Sequence, residues 1–263
     1  MLTKRRLARA LFAQMDRIFL QLANRCLATH HLECNACHAQ TVGYFVFEGR
    51  PDGCPQCSSF SRERFVLLAL DSGLIHLPMP GGRILHIAPT ERHLRERFRQ
   101  QHEYLAGDLA PGFYGNLPIL KVDLTAIDRN PKLAGVDLLY ASHVLEHIPN
   151  DGKALNAIYN TLRPSGEAWF LVPLRAGTTI EEDYPLSSRE REKRFGQWDH
   201  VRYYGSDIRE RFSRVGFEVQ VIDASCLPLK KVERAGIQFD EKIFVCKRPM
   251  ASTTAPSLNL KAG

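Results

Sequence analysis

Cys34, Cys37, Cys54 and Cys57 form two Cys-x-x-Cys pairs separated by 16 residues. Two such pairs can close a tetrahedron of thiolates around one metal ion. Zinc is the first choice, iron in the same geometry the second and disulfides the third. Four thiolates leave no open position, so the ion is expected to be structural, folding a segment too small for a core of its own. Cys26, Cys226 and Cys246 sit singly among apolar residues and fit a reducing compartment, so a cytoplasmic location is expected.

Other candidate side chains stand at the ends of apolar runs: His86-Ile87-Ala88-Pro89, Gly107-Asp108, Val122-Asp123 and Ser142-His143. In an open parallel sheet, ligands bind beyond the carboxyl ends of the strands, where the strand order reverses. Four successive runs ending in polar or small residues would put those residues along one edge. Residues 174–204 are polar, charged and aromatic without a clean period, and hold Asp183, Tyr184, Trp198, Asp199, His200, Arg202, Tyr203 and Tyr204. That mixture suits a lid that covers a substrate and excludes water. A histidine titrating near neutrality can take a proton, and an arginine can clamp an anion. His200 and Arg202 are two apart and are expected to face a substrate together, with Asp199 or Asp183 orienting an imidazole.

The elements that must position these groups follow from periodicity. Apolar runs predict strands at 83–88, 103–107, 118–123, 136–142, 167–173, 217–223 and 242–247, with helices near 90–100, 151–162 and 205–215. Alternating strands and helices predict a doubly wound α/β fold with a mostly parallel, seven-stranded sheet. Residues 227–241 read as a loop joining the last two strands, which makes an antiparallel edge strand the expectation. Upstream, Leu7, Leu11, Met15, Ile18 and Leu22 recur at steps of three and four and predict an amphipathic helix over 4–28. Such a helix packs on its own domain or a second copy of the chain, lies on a membrane surface, or serves in targeting. The divisions expected are the helix (1–31), the cysteine module (32–60), a connecting helix and linker (61–82), the sheet domain (83–248, with 174–204 as its insert) and a Ser/Thr/Ala/Pro-rich disordered tail (249–263).

The net charge of +6 sits mostly in residues 1–25, where six bases face one acid. The body is therefore near neutral, and Arg50 is the only Lys or Arg between residues 32 and 60. Neither has the footprint of a nucleic-acid binder. No apolar run long enough to span a bilayer is present, and no secretory signal is expected.

Residues 83–224 resemble the class I S-adenosylmethionine-dependent methyltransferases. The stretch Asp137 to Ile148 resembles that family's fourth strand and following turn, and Leu162-Arg163-Pro164-Ser165-Gly166-Glu167 the turn before its fifth strand. More narrowly, the chain is similar to a bacterial subgroup with an N-terminal Cys-x-x-Cys knuckle pair, a His-Ile-Ala-Pro first strand and a Phe-Gly-Gln-x-Asp-His-Val-Arg segment, here Phe195 to Arg202. The chain departs from the family at its first loop, where Ala88-Pro89-Thr90-Glu91 replaces a glycine-rich turn. The resemblance implies that S-adenosylmethionine is held by His86, Ala88, Pro89, Asp108, Asp123, Leu124 and His143. Asp108 would accept from the ribose hydroxyls, and Asp123 with the backbone of Leu124 would face the adenine. For the chemistry, His200, His143, Arg202 and Asp199 are the candidates; for acceptor binding, Asp183, Tyr184, Arg202 and Tyr204. The acceptor expected is a small or sugar-linked molecule offering O or N. An RNA or protein acceptor, or a cofactor-free zinc-containing scaffold, are the competing readings.

Overall fold

The computed structural model describes residues 4–26, 31–47 and 49–250. From residue 251 the expected tail lies outside the described residues. Chain order runs α1 (Lys4–Cys26), β1 (Leu32–Glu33), β2 (Gln40–Thr41), β3 (Phe45–Phe47), β4 (Arg50–Gly53), α2 (Ser61–Asp71), β5 (Arg83–Ile87), α3 (Arg92–Arg99), β6 (Glu103–Asp108), β7 (Leu120–Lys121), β8 (Val136–Ser142), α4 (Asp151–Thr161) and β9 (Leu162–Leu171). It continues with β10 (Ile180–Glu181), α5 (Ser188–Phe195), β11 (Arg202–Tyr203), α6 (Ile208–Val215), β12 (Glu218–Asp223), α7 (Leu229–Arg234) and β13 (Lys242–Lys247).

Seven strands form one sheet in the order β12-β13-β9-β8-β5-β6-β7. The apolar runs become β5, β8 and β9 because strands covered on both faces need apolar residues at successive positions. Alternation divides them. Leu85, Ile87, Leu139, Ala141 and Phe170 face a core with α4 and α6, while Ile84, Leu138, Tyr140, Trp169 and Leu171 face a core with α2, α3 and α7. From β5 the chain builds outward through β6 and β7 and then returns to β8 on the other side of β5. That reversal puts a crevice at the carboxyl ends of β5 and β8.

Three expectations are corrected. The antiparallel strand is not at the edge: β13 pairs antiparallel with both β9 and β12, so β12 takes the edge. Residues 227–241 are not a plain loop, because Val232 is buried and anchors α7 under the sheet. The third strand shrinks to Leu120–Lys121, both exposed at the opposite edge.

The expected amphipathic helix forms as α1, but its polar side holds the chain. Val46 N–H donates to Asp16 (2.7 Å), Val42 N–H donates to Asn24 (2.8 Å), and Arg17 and Gln21 donate to Pro55 O at 2.9 and 2.7 Å. Leu11, Met15 and Phe19 are 56%, 69% and 67% exposed. The cysteine module is fastened to the sheet domain by Arg64, which is fully buried and donates to Asp52 O, Ala235 O and Gly236 O within 2.9 Å. No helix among the described residues is long and apolar enough to cross a membrane.

Candidate active site and metal centre

The crevice at the strand ends is a cleft of about 570 Å³. β5 delivers Ile87 and Ala88, β6 delivers Asp108, the turn after β7 delivers Asp123 and Leu124, and the turn after β8 delivers His143 and His147. Ala88 and His143 both have left-handed backbones, at φ 49° and 54°. Non-glycine residues adopt that region only when the surrounding structure forces it, commonly at functional sites. At Ala88 the backbone therefore takes a glycine-like path with the smallest side chain that carries a Cβ. Asp108 accepts from Ala110 N–H and from the Tyr114 hydroxyl, both at 2.7 Å, which fixes its carboxylate at the rim. Asp123 accepts from the Thr125 amide and hydroxyl, and those bonds hold its carboxyl below the ordinary range.

A second cleft of about 460 Å³ opens on the other side of His143 and His147, which line both. Its walls come from distant parts of the chain: Phe47, Arg50 and Asp52 from the β3–β4 hairpin, Arg62 from α2, His200 and Tyr203 from the insert, and Asp240 and Glu241 before β13. Arg50 is committed to Asp240 through two bonds of 2.9 Å. The Arg62 guanidinium lies 3.7 Å from Glu91, and its buried Nε has no hydrogen-bond partner.

Glu146 lines neither cleft but lies against His143, which lines both. It is fully buried, neither oxygen has a hydrogen-bond partner, and burial pushes its carboxyl up to about 8. His143 Nδ1 is 3.5 Å and His200 Nε2 4.0 Å from its Oε1. His200 Nδ1–H donates to Phe195 O at 3.1 Å, and His147 Nδ1 lies 3.5 Å from Asp199 Oδ2. Burial lowers all three imidazoles, His200 to about 4, so they are neutral near pH 7. From sequence, Glu146 and His147 read as residues that cap and orient the turn after the fourth strand, and Arg62 only as part of a helix. Glu146-His147 could have been caught as a polar pair directly after the fourth strand end; nothing local marks Arg62.

Several expected site residues lie elsewhere. His86 is fully buried on the far face of β5, 3.3 Å from Glu91 and 3.2 Å from the Tyr104 hydroxyl, and does not line the cofactor-side cleft. Pro89 also stands back from that cleft, its carbonyl accepting from Arg95 at 3.2 Å. Asp199 lines the first cleft beside His147 rather than orienting His200. Asp183 and Tyr184 border a separate hollow, with Asp183 paired to Arg194 at 3.0 Å. Tyr204 is buried and its hydroxyl donates to Asp151 at 2.9 Å.

Arg202 is the main correction. Its guanidinium donates to the carbonyls of Leu145 (3.1 Å), Ile148 and Pro149 (2.9 Å) and pairs with Glu181 at 3.3 Å. With those donors spent and the charge neutralised, it pins the insert to the turn after β8 instead of clamping an anion. Arg202→Ala should accordingly lower unfolding free energy by about 3 kcal/mol, since it strands three carbonyls while Glu181 keeps its pairing with Arg211. A chemical-denaturation midpoint within error of wild type would remove that role.

The four cysteines converge. Their sulfurs lie within 4.8 Å of one another, with Cys34–Cys57 at 3.8 Å and Cys37–Cys54 at 3.9 Å. Thiolates about 2.3 Å from a central ion at tetrahedral angles are about 3.8 Å apart, so the donor set fits a zinc-sized ion. Each pair folds the same way: Cys34 N–H donates to Ala39 O and Cys54 N–H to Ser59 O, while His38 and Ser58 take left-handed backbones.

No protein-family model matches the chain, and no curated protein matches it. Solved structures do resemble it. A SAM-dependent methyltransferase from Archaeoglobus fulgidus is 15% identical, with 70% of this chain and 94% of that chain covered at a TM-score of 0.47. An S-adenosylmethionine-dependent methyltransferase from Mesorhizobium loti is 16% identical, covering 70% and 98% at 0.48. The 1,6-didemethyltoxoflavin-N1-methyltransferase of Burkholderia thailandensis, with bound 1,6-didemethyltoxoflavin and S-adenosylhomocysteine, is 15% identical, covering 72% and 78% at 0.45. The fold is a doubly wound α/β fold with a seven-stranded, mostly parallel sheet. Identities and scores this low say nothing about substrates or residue roles.

Proposed function

We propose that the chain is an enzyme transferring a methyl group from S-adenosylmethionine to an oxygen or nitrogen of a small or sugar-linked acceptor bearing an anionic group. The observation that carries this reading is the pair of clefts meeting at His143 and His147. One is a largely apolar crevice with a carboxylate at each of two successive strand ends; the other is polar and walled by the N-terminal module.

In the first cleft, Asp108 would accept from the vicinal ribose hydroxyls, since each of its oxygens keeps acceptor capacity beyond its internal bond. Asp123 and the backbone of Leu124 would face the adenine, and Ala88 would let the chain pass close to the cofactor. When bound there, S-adenosylmethionine supplies an electrophilic methyl on a sulfonium. Rate then depends on holding the acceptor in line and removing its proton. The neutral imidazoles of His143 and His200 can receive that proton. Arg62 takes over the anion-binding role first read into Arg202. A zinc ion in the four-cysteine site would shape the module without entering the chemistry, and the unbridged thiols suit the cytoplasm.

Titration calorimetry with S-adenosylmethionine should give micromolar-scale binding, and cofactor at about 100 times its dissociation constant should stabilise the fold by ~2.7 kcal/mol. Asp108→Ala should weaken that binding strongly. If folded protein binds neither S-adenosylmethionine nor S-adenosylhomocysteine, the enzyme reading is lost.

A further inference from the structure

Methyl transfer as drawn above leaves Glu146 without a partner. A fully buried carboxylate that accepts no hydrogen bond is costly unless a proton or a cation compensates it. Three imidazoles face it, those of His143 (Nδ1 at 3.5 Å), His147 and His200. His200 Nδ1–H is spent on Phe195 O, which leaves Nε2 bare on the side of Glu146. His147 Nδ1 lies 3.5 Å from Asp199 Oδ2, and one of its ring nitrogens is within 4.8 Å of Glu146 and His200. Tying one imidazole nitrogen to a carbonyl or carboxylate is how proteins orient histidines that bind metal through the other.

Spacing excludes a proton shared between Glu146 and His200. His200 Nε2 and Glu146 Oε1 are 4.0 Å apart, too far for a hydrogen bond. Two ligands about 2.1 Å from one ion are about 3.0 to 4.2 Å apart as the angle between them opens from 90° to 180°. One ligand atom from each of Glu146, His147 and His200 falls within 4.8 Å of the others.

We propose that Glu146, His147 and His200 bind one divalent transition-metal ion, of the zinc or manganese class, where the two clefts meet. Two imidazoles and a carboxylate are a donor set suited to such ions, and three protein ligands leave coordination positions open. Those positions are reachable from the second cleft, where a hydroxyl on the ion would lose its proton to water at neutral pH. With the ion bound His200 is a ligand, and His143 alone is left as proton acceptor; this last step rests on the methyl-transfer reading, whereas ion binding does not.

Full-length protein with its cysteine site saturated with zinc is titrated with Mn²⁺ and followed by electron paramagnetic resonance and calorimetry. We expect one Mn²⁺ per chain. Glu146→Gln and His200→Ala should each weaken it at least 100-fold while zinc content stays at one. Asp199→Asn, which removes only the orienting carboxylate, should weaken it roughly 10- to 100-fold. Should Glu146→Gln not fold, Asp199→Asn decides. Wild-type protein that takes up neither Mn²⁺ nor a second zinc at millimolar concentration overturns the site, as does Glu146→Gln binding as tightly as wild type. S-adenosylmethionine binding is measured on the same sample. Cofactor bound without metal sinks only the ion; metal bound without cofactor sinks only the methyl-transfer reading.

Discussion

Cys54→Ser should empty the four-cysteine site and unfold the N-terminal module. The buried apolar side chains of that module are Cys34, Tyr44, Phe45 and Cys54, with Leu32, Ala36, Cys37 and Cys57 partly buried. So few apolar atoms cannot offset the entropy of ordering some 30 residues, at about 1–2 kcal/mol per residue. A structural zinc site contributes on the order of 10–16 kcal/mol in small zinc modules, enough to decide whether the segment folds at all. Because Phe47, Arg50 and Asp52 wall the second cleft, the loss should abolish turnover. The first cleft, by contrast, is built from residues 87–149 and Asp199, so S-adenosylmethionine affinity should change only a few-fold. Metal analysis and calorimetry on the purified variant measure the two halves. Full zinc content in Cys54→Ser would move the metal elsewhere.

The second large effect is on the chemistry. His200→Ala should lower turnover by roughly 100-fold or more, whether its Nε2 takes the proton itself or holds the ion that activates the acceptor, with S-adenosylmethionine affinity nearly intact. His200 lines only the acceptor-side cleft, and its ring stands edge-on to His147 with centroids 4.7 Å apart. Truncating it should therefore leave the cofactor crevice in place. A turnover number within threefold of wild type would pass the role to His143, which touches both clefts.

Much of this arrangement is legible in the order of residue types. The largely apolar runs at 83–88 and 136–142 read as strands covered on both faces, and Asp108 and Asp123 end their runs visibly. His86 could have been set aside on parity alone, since it alternates with Leu85 and Ile87 and must face away from their core. Arg202 and Arg62 could not have been sorted locally. Each is an arginine in a polar setting, and what separates them is the set of carbonyls at Leu145, Ile148 and Pro149, some 55 residues from Arg202, that consumes its donors. Tyr204 was misread for the same reason, its partner Asp151 being 53 residues away. Spacing reports which groups a short segment carries; only packing reports which of them remain unspent.

The split construction of the paired clefts has an evolutionary side. Every residue lining the first cleft follows residue 86, whereas the far wall of its neighbour is hung on the β3–β4 hairpin inside the four-cysteine module. Changes in that hairpin can alter the size and charge of what enters without disturbing the strand ends. Diversification of the accepted molecule then needs no new scaffold, and exchanging the hairpin between homologous chains is the direct way to graft one preference onto another.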